Sequence, residues 1–124
     1  MKHFALTIMT ISLATGPALA DGDAVKGEQA FKKCLACHTV TAKTNKVGPY
    51  LVGVAGRKIA AVEGYNYSAG MKEYAATGAV WDDVTLAAFL ENPKGIVPKT
   101  KMAFAGIKKE EERADLIAFL KSKM

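Results

Sequence analysis

The pentapeptide Cys34-Leu35-Ala36-Cys37-His38 constrains this chain more than any other stretch. In the pattern C-x-x-C-H two thiols stand close enough to add to the two vinyl groups of one porphyrin. The adjacent imidazole can then turn under the ring and take an axial position on its iron. Two other chemistries use a bare C-x-x-C. A thioredoxin-like redox pair occurs in chains of about this length, and half of a zinc site has the same spacing. Zinc needs four ligands, normally Cys or His. The chain holds two Cys and two His, and His3 falls in a segment read below as removed, so a four-ligand N/S site cannot be assembled.

Residues 1–20 read as a secretory signal. Lys2 supplies a positive start, Phe4 to Leu13 an apolar core, and Ala18-Leu19-Ala20 a small-residue cleavage site. A membrane anchor would need about 20 apolar residues. Here the core is shorter, is interrupted by Thr7, Thr10 and Ser12, and is followed by Gly16-Pro17. No Cys lies beside the cleavage site to take a lipid. Cleavage leaves residues 21–124 as one exported domain. In an oxidising compartment a plain Cys34–Cys37 disulfide is the alternative use of the pair. So small a loop would constrain the unfolded chain little, whereas one flat apolar cofactor can nucleate a core that a small domain otherwise fills only marginally.

The formal charge of +5 is too modest to imply nucleic acid, and no arginine cluster or aromatic-basic alternation supports one. Distribution says more than the total. Lys32, Lys33, Lys94, Lys99, Lys101, Lys108 and Lys109 all flank either the Cys pair or a late segment around Met102. If both segments border one haem edge, these lysines ring it and steer an acidic partner.

Periodicity predicts helices over 23–34, 82–91 and 110–123, with a weaker one over 68–76. Asp23 can cap the first, where Ala24, Gly27, Phe31 and Cys34 recur at helical spacing. Gly27 lowers helix propensity, which points to a close backbone approach by another element. The last helix opens on three acidic residues and closes on Lys121 and Lys123, both suited to the helix dipole. Its Leu116, Ile117, Phe119 and Leu120 make an apolar face whose outlet is packing across Gly27. Pro93 forces Asn92 out of helical geometry. Gly48-Pro49, Gly53, Gly56, Gly64, Gly78 and Gly95 mark the intervening loops. No stretch alternates in period two for long enough to build a sheet, which counts against a thioredoxin-like fold.

A six-coordinate iron needs a second axial ligand, and the processed chain has no second His. Met124 is terminal, and Met71 sits in the weak helix, where packing is the ordinary role. Met102 lies in Pro98-Lys99-Thr100-Lys101-Met102, an irregular stretch able to present a thioether. Given a haem, Met102 is the favoured ligand.

The runs KCLACHTV, VGPYLVGVAGRK, the Trp81 region, LENPKGIVPKTKMAFAGIKK and ERADLIAFLK cover nearly all of the processed chain. In that order they resemble a class I cytochrome c, closest to the bacterial cytochrome c2 and mitochondrial cytochrome c group. The resemblance implies an all-α fold, with three to five helices and Gly-rich loops wrapped around one covalently bound haem c. It implies thioethers at Cys34 and Cys37, with His38 and Met102 as axial iron ligands. It implies that the Pro49 carbonyl accepts the other proton of the proximal imidazole, and that Tyr67, Trp81 and Arg57 hold a buried haem propionate. Gly27 and Phe31 match the family's crossing of first and last helices.

There are departures. Phe89 stands where many members carry a tyrosine near the Met sulfur, Lys99 replaces a common Gly, and Tyr50 replaces a usual Asn. Phe31 lies one residue nearer the Cys pair than in mitochondrial members, and the stretch from Tyr67 to Trp81 is longer than theirs. Both length differences point to the bacterial branch.

With the iron held on both sides no open position remains for oxygen or peroxide. The implied role is then electron transfer, not catalysis. The expected setting is the periplasm, as a soluble monomer with no nucleic-acid partner. A quinol-oxidising cytochrome bc1-type complex would be the donor, and cytochrome c oxidase or a photosynthetic reaction centre the acceptor. Docking would be transient, through Lys32, Lys33, Lys99, Lys101, Lys108 and Lys109. A five-coordinate haem protein with peroxidase or gas-binding chemistry, and a haem-free thiol-disulfide protein, are the alternatives that an absorption spectrum separates.

Overall fold

A computed structural model of the chain describes residues 21–124, and the leader expected over 1–20 lies outside the described residues. Five helices follow one another: α1 Ala24–Phe31, α2 Ala69–Ala75, α3 Asp83–Glu91, α4 Pro93–Ile96 and α5 Glu110–Lys121. All but α5 start on side-chain caps that satisfy otherwise orphaned N–H groups. Asp23 accepts from the amides of Val25 and Lys26 at 2.8 and 3.2 Å. Ser68 accepts from Met71 at 3.1 Å and Asp82 from Thr85 at 2.8 Å. At α5 the residue before the helix, Lys109, offers no cap. The first turn carries Glu110, Glu111 and Glu112 instead, with Lys121 in the last turn, so charge complements the dipole at both ends.

Helix α1 stops at Phe31, short of the expected Cys34. The chain continues in tighter three-residue turns, with the Lys33 amide donating to Ala30 O at 3.3 Å and the Cys34 amide to Phe31 O at 2.8 Å. Helix α5 ends at Lys121, two residues before the expected limit. There the Ser122 hydroxyl bonds Phe119 O at 2.5 Å, a local bond of the kind that competes with helix continuation. Helix α4 is absent from the sequence expectation. Asn92 does leave helical geometry (φ −150°, ψ 79°), but its side chain then caps Gly95 N, and Pro93 takes the first position of a new short helix. Proline is tolerated there because that N–H would be unpaired anyway.

The frame is the crossing of α1 over α5. A Cβ on Gly27 would lie 1.9 Å from Asp115 O and 2.7 Å from Phe119 Cβ, so no side chain fits between the helices. Phe31 and Phe119 meet beside it with ring centroids 5.3 Å apart. The buried Asp115 carboxylate accepts from the Asp23 amide at 2.7 Å, tying the start of α1 to the same junction. A second cluster joins α2 and α3, where Trp81 packs on Phe89 at 5.1 Å and on Tyr74 at 6.1 Å. Among the described residues there is no strand, only an isolated antiparallel bridge between Lys58 and Val80. A thioredoxin-like pair would lack its βαβ support.

Candidate haem site

The Cys pair occupies the turn that leaves α1. The amides of Cys37 and His38 both donate to Cys34 O, at 3.1 and 2.9 Å. This helical turn puts Cys34 and Cys37, three residues apart, on one side. Both thiols are free and half-buried. Burial pushes the Cys34 thiol up to about 11, opposed in part by the charge of Lys33.

His38 is held from two directions. Its Nδ1 donates to Pro49 O at 2.7 Å, which leaves Nε2 unprotonated and available to a metal. A Cβ on Gly48 would lie 2.3 Å from His38 Cε1, so the ring rests directly on backbone. Gly48 is fixed in turn by donating to Cys37 O at 2.8 Å. Burial lowers the imidazole's affinity for a second proton. The Pro49 bond opposes this, and the charges of Arg57 and Lys46 add to it. The neutral ring, which is the ligating form, is therefore favoured.

Arg57, Tyr67 and Trp81 form a second group. The amide of Trp81 donates to Arg57 O at 2.9 Å, and Trp81 is buried. Both terminal nitrogens of Arg57 donate to Tyr50 O at 3.1 Å, and its guanidinium lies 5.3 Å from the centre of the Tyr50 ring. Its Nε is buried with no hydrogen-bond partner among the described residues. The Tyr67 hydroxyl accepts from Val62 N at 3.1 Å and keeps its own proton to donate. Burial pushes the tyrosine up, and Arg57 beside it pulls the other way. A half-buried cationic side chain whose buried Nε–H is unused, next to a phenol with a proton to give, is a cradle for a carboxylate. The residues present fit a propionate-bearing ring bound through Cys34, Cys37 and His38.

Met102 is half-buried against the same core cluster that Cys34 packs on. Residues 101–109 form no helix or strand, and the Met102 amide is held by Thr100 Oγ1 at 3.2 Å. Met71 also packs on the core, from α2, whereas Met124 is 76 % exposed. Phe89, at the position of the family's tyrosine, is buried against Trp81.

All six expected docking lysines are exposed, yet they are not equivalent. Lys33 is paired with Glu112. Lys101 Nζ donates to Asn66 O at 3.0 Å and Lys108 Nζ to Glu91 O at 2.7 Å. Lys32, Lys99 and Lys109 make no side-chain bond to the described residues.

Sequence reasoning missed Arg113. It donates to Ile107 O and Lys108 O, both at 2.9 Å, and its side chain is only 12 % exposed. A signal was present: Arg113 falls three and four residues before Leu116 and Ile117, on the apolar face of α5. Tyr65 was missed as well, and its hydroxyl ties two loops together by donating to Val47 O at 2.7 Å.

An all-α chain whose helices frame a C-x-x-C-H turn, with a carbonyl-anchored imidazole, falls in the class of small proteins built around a covalently attached haem. The family model described as Cytochrome c matches residues 24–123, and the chain belongs to the cytochrome c family. It is 47 % identical over 123 residues to cytochrome c2 of Rhodomicrobium vannielii, covering 97 % of this chain and 95 % of that one. Cytochrome c of Arabidopsis thaliana is 50 % identical over 101 residues, covering 80 % of this chain and 88 % of that one. Among solved structures, cytochrome cH from Methylobacterium extorquens superimposes with a TM-score of 0.75 at 44 % identity, over 82 % of this chain and 100 % of that one. Family members bind one covalent haem c and are electron carriers, not enzymes. The chain is a single-haem electron carrier.

Proposed function

We propose that the processed chain, residues 21–124, works in the periplasm as a shuttle between membrane redox complexes, after removal of the signal at 1–20. Cys34 and Cys37 would hold the haem by thioethers, and His38 and Met102 would ligate its iron. Arg57, Tyr67 and Trp81 receive a propionate. When bound, the haem supplies a one-electron couple, and thioether ligation raises its potential. The protein's part is to keep His38 neutral and oriented through Pro49, to keep Met102 in place, and to bury a charged carboxylate beside Arg57. Because His38 and Met102 would both ligate the iron, no position would be left there for a substrate, and the chemistry the group would supply is one-electron transfer.

A quinol-oxidising bc1-type complex as donor, and an oxidase or photosynthetic reaction centre as acceptor, suit such a carrier. The likeness to a cytochrome c2 supports the assignment to membrane complexes. No helix among the described residues is long and apolar enough to cross a membrane. Encounters would be small and short-lived, with Lys32, Lys33, Lys99, Lys101, Lys108 and Lys109 steering an acidic partner.

The observation that carries the reading is the 2.7 Å bond from His38 to Pro49 O, directly behind the two thiols. Carbon monoxide tests the six-coordinate part. The reduced wild type should not bind it, and Met102→Ala should. Equal binding by both proteins would remove Met102 from the iron.

A further inference from the structure

Residues 101–109 make no regular structure, so where Met102 stands depends on what grips the two ends of the segment. At the start, Thr100 N donates to Val97 O and Lys101 Nζ to Asn66 O, each at 3.0 Å. The far end is held more heavily. Ile107 N donates to Leu90 O at 2.8 Å and Lys108 Nζ to Glu91 O at 2.7 Å, both at the close of α3. Gly106 adopts φ +105°, and a Cβ there would come within 2.2 Å of Glu91 O, so the chain crosses α3 as closely as a backbone can. From the opposite side Arg113 of α5 reaches over with a single nitrogen, Nη1, and donates to two successive carbonyls, Ile107 O and Lys108 O, at 2.9 Å each.

This arginine is unusual among the basic side chains here. It is 12 % exposed, so it faces no partner, and its nearest carboxylate, Glu91, is 4.0 Å away. A largely buried guanidinium whose bonds go mainly to main-chain carbonyls fixes the direction of those peptide groups, because its donors are held in a planar fork. Lysine, a point charge on a flexible stem, cannot reproduce that.

We propose that Arg113 is a positioning residue for the Met102 ligand: it pins the exit of residues 101–109 to α5 and so keeps the thioether at the iron. The inference rests on Met102 being the distal ligand, and adds which side chain retains it there. Without the grip, the segment has states in which Met102 is off the metal. An outside ligand then meets an open position more often, and its apparent affinity rises by the same factor as the open population.

The test is imidazole binding to the oxidised holoprotein, read from its absorption spectrum, in wild type, Met102→Ala, Arg113→Leu and Arg113→Lys. A fifth protein, Asp23→Ala, removes the side-chain cap of α1 without touching the segment, and serves as a control for general destabilisation. Arg113→Leu should bind imidazole about 10- to 100-fold more tightly than wild type. Arg113→Lys should fall between the two, and Asp23→Ala should match wild type. If Arg113→Leu does not fold, a threefold or greater gain in Arg113→Lys, on the order expected for losing one of two bonds, carries the proposal. Wild-type affinity in the folded Arg113 variants overturns it, as does an equal gain in Asp23→Ala. If Met102→Ala binds no better than wild type, the ligand assignment itself fails, and that outcome is distinct from failure of the Arg113 variants alone.

Discussion

Gly27→Ala should be among the most damaging single-atom additions available in this chain. The new Cβ would stand 1.9 Å from Asp115 O and 2.7 Å from Phe119 Cβ, both on a packed helix with no flexible side-chain tip to swing aside. The helices must therefore separate. Forced overpacking of this kind costs about 1–3 kcal/mol. Separation also breaks the 2.7 Å bond from Asp23 N to the buried Asp115 carboxylate. Losing a partner of a buried charged group costs about 1–3 kcal/mol more. Against this, alanine is favoured over glycine inside a helix by about 1 kcal/mol. The net is roughly 1–5 kcal/mol, which in a domain of this size lowers the melting temperature by about 4–40 °C. The assay is a thermal melt of the oxidised holoprotein followed by circular dichroism, with Val25→Ala, on the exposed side of α1, as control. A Gly27→Ala melting temperature within about 3 °C of wild type would refute the argument. It would mean that the crossing can open without loss.

Two further outcomes follow from charge. Lys99 and Lys109 are exposed and unpaired by the described residues, whereas Lys33 is paired with Glu112, so its positive field is partly cancelled. Lys99→Gln with Lys109→Gln should therefore slow reaction with an acidic redox partner at low ionic strength more than Lys33→Gln does, and the difference should fade with added salt. Equal rates for all variants at low salt would remove steering from the account. Asp82 caps α3, and the Thr85 amide it accepts from holds its carboxyl below the ordinary value of 3.8. A depressed carboxyl contributes stability that is present above the unfolded value and is lost as pH falls through the folded one. Asp82→Ala should thus be less stable than wild type at neutral pH, and the gap should narrow below about pH 3.8 in acid melts. A gap that stays constant into strong acid would show that the charged cap is not its source.

The residues differ in how openly they announce their roles. Cys34, Cys37 and His38 stand out because the covalent attachment proposed for them demands that spacing. Gly27 is legible because a glycine that weakens its own helix, on the face turned to an apolar stripe, makes room for a neighbouring backbone. The three longer helices could be read from apolar spacing together with the Asp caps of α1 and α3 and the charges at the two ends of α5. Helix α4 could not, since Pro93 both closes α3 and opens the next turn, and sequence logic registers only the first. The end of α1 at Phe31 was equally hidden, because the pattern of apolar spacing runs on through Cys34 while the backbone tightens. Arg113 was obscured by its own chemistry. A charged residue in a helix is read as solvated, and only the fold shows its guanidinium turned onto the carbonyls of Ile107 and Lys108. Lys33, Lys101 and Lys108 carry contacts that the sequence does not show. Counting them with Lys32, Lys99 and Lys109 treats six exposed charges alike, although three are engaged within the molecule.

The central claim is that two sulfurs, Cys34 and Cys37, join this polypeptide to one haem. The direct measurement is the intact mass of protein purified from a haem-competent host and then denatured. The account predicts the mass of residues 21–124 plus a single haem, retained after denaturation and acidic organic extraction. A mass equal to that of the bare polypeptide would contradict it.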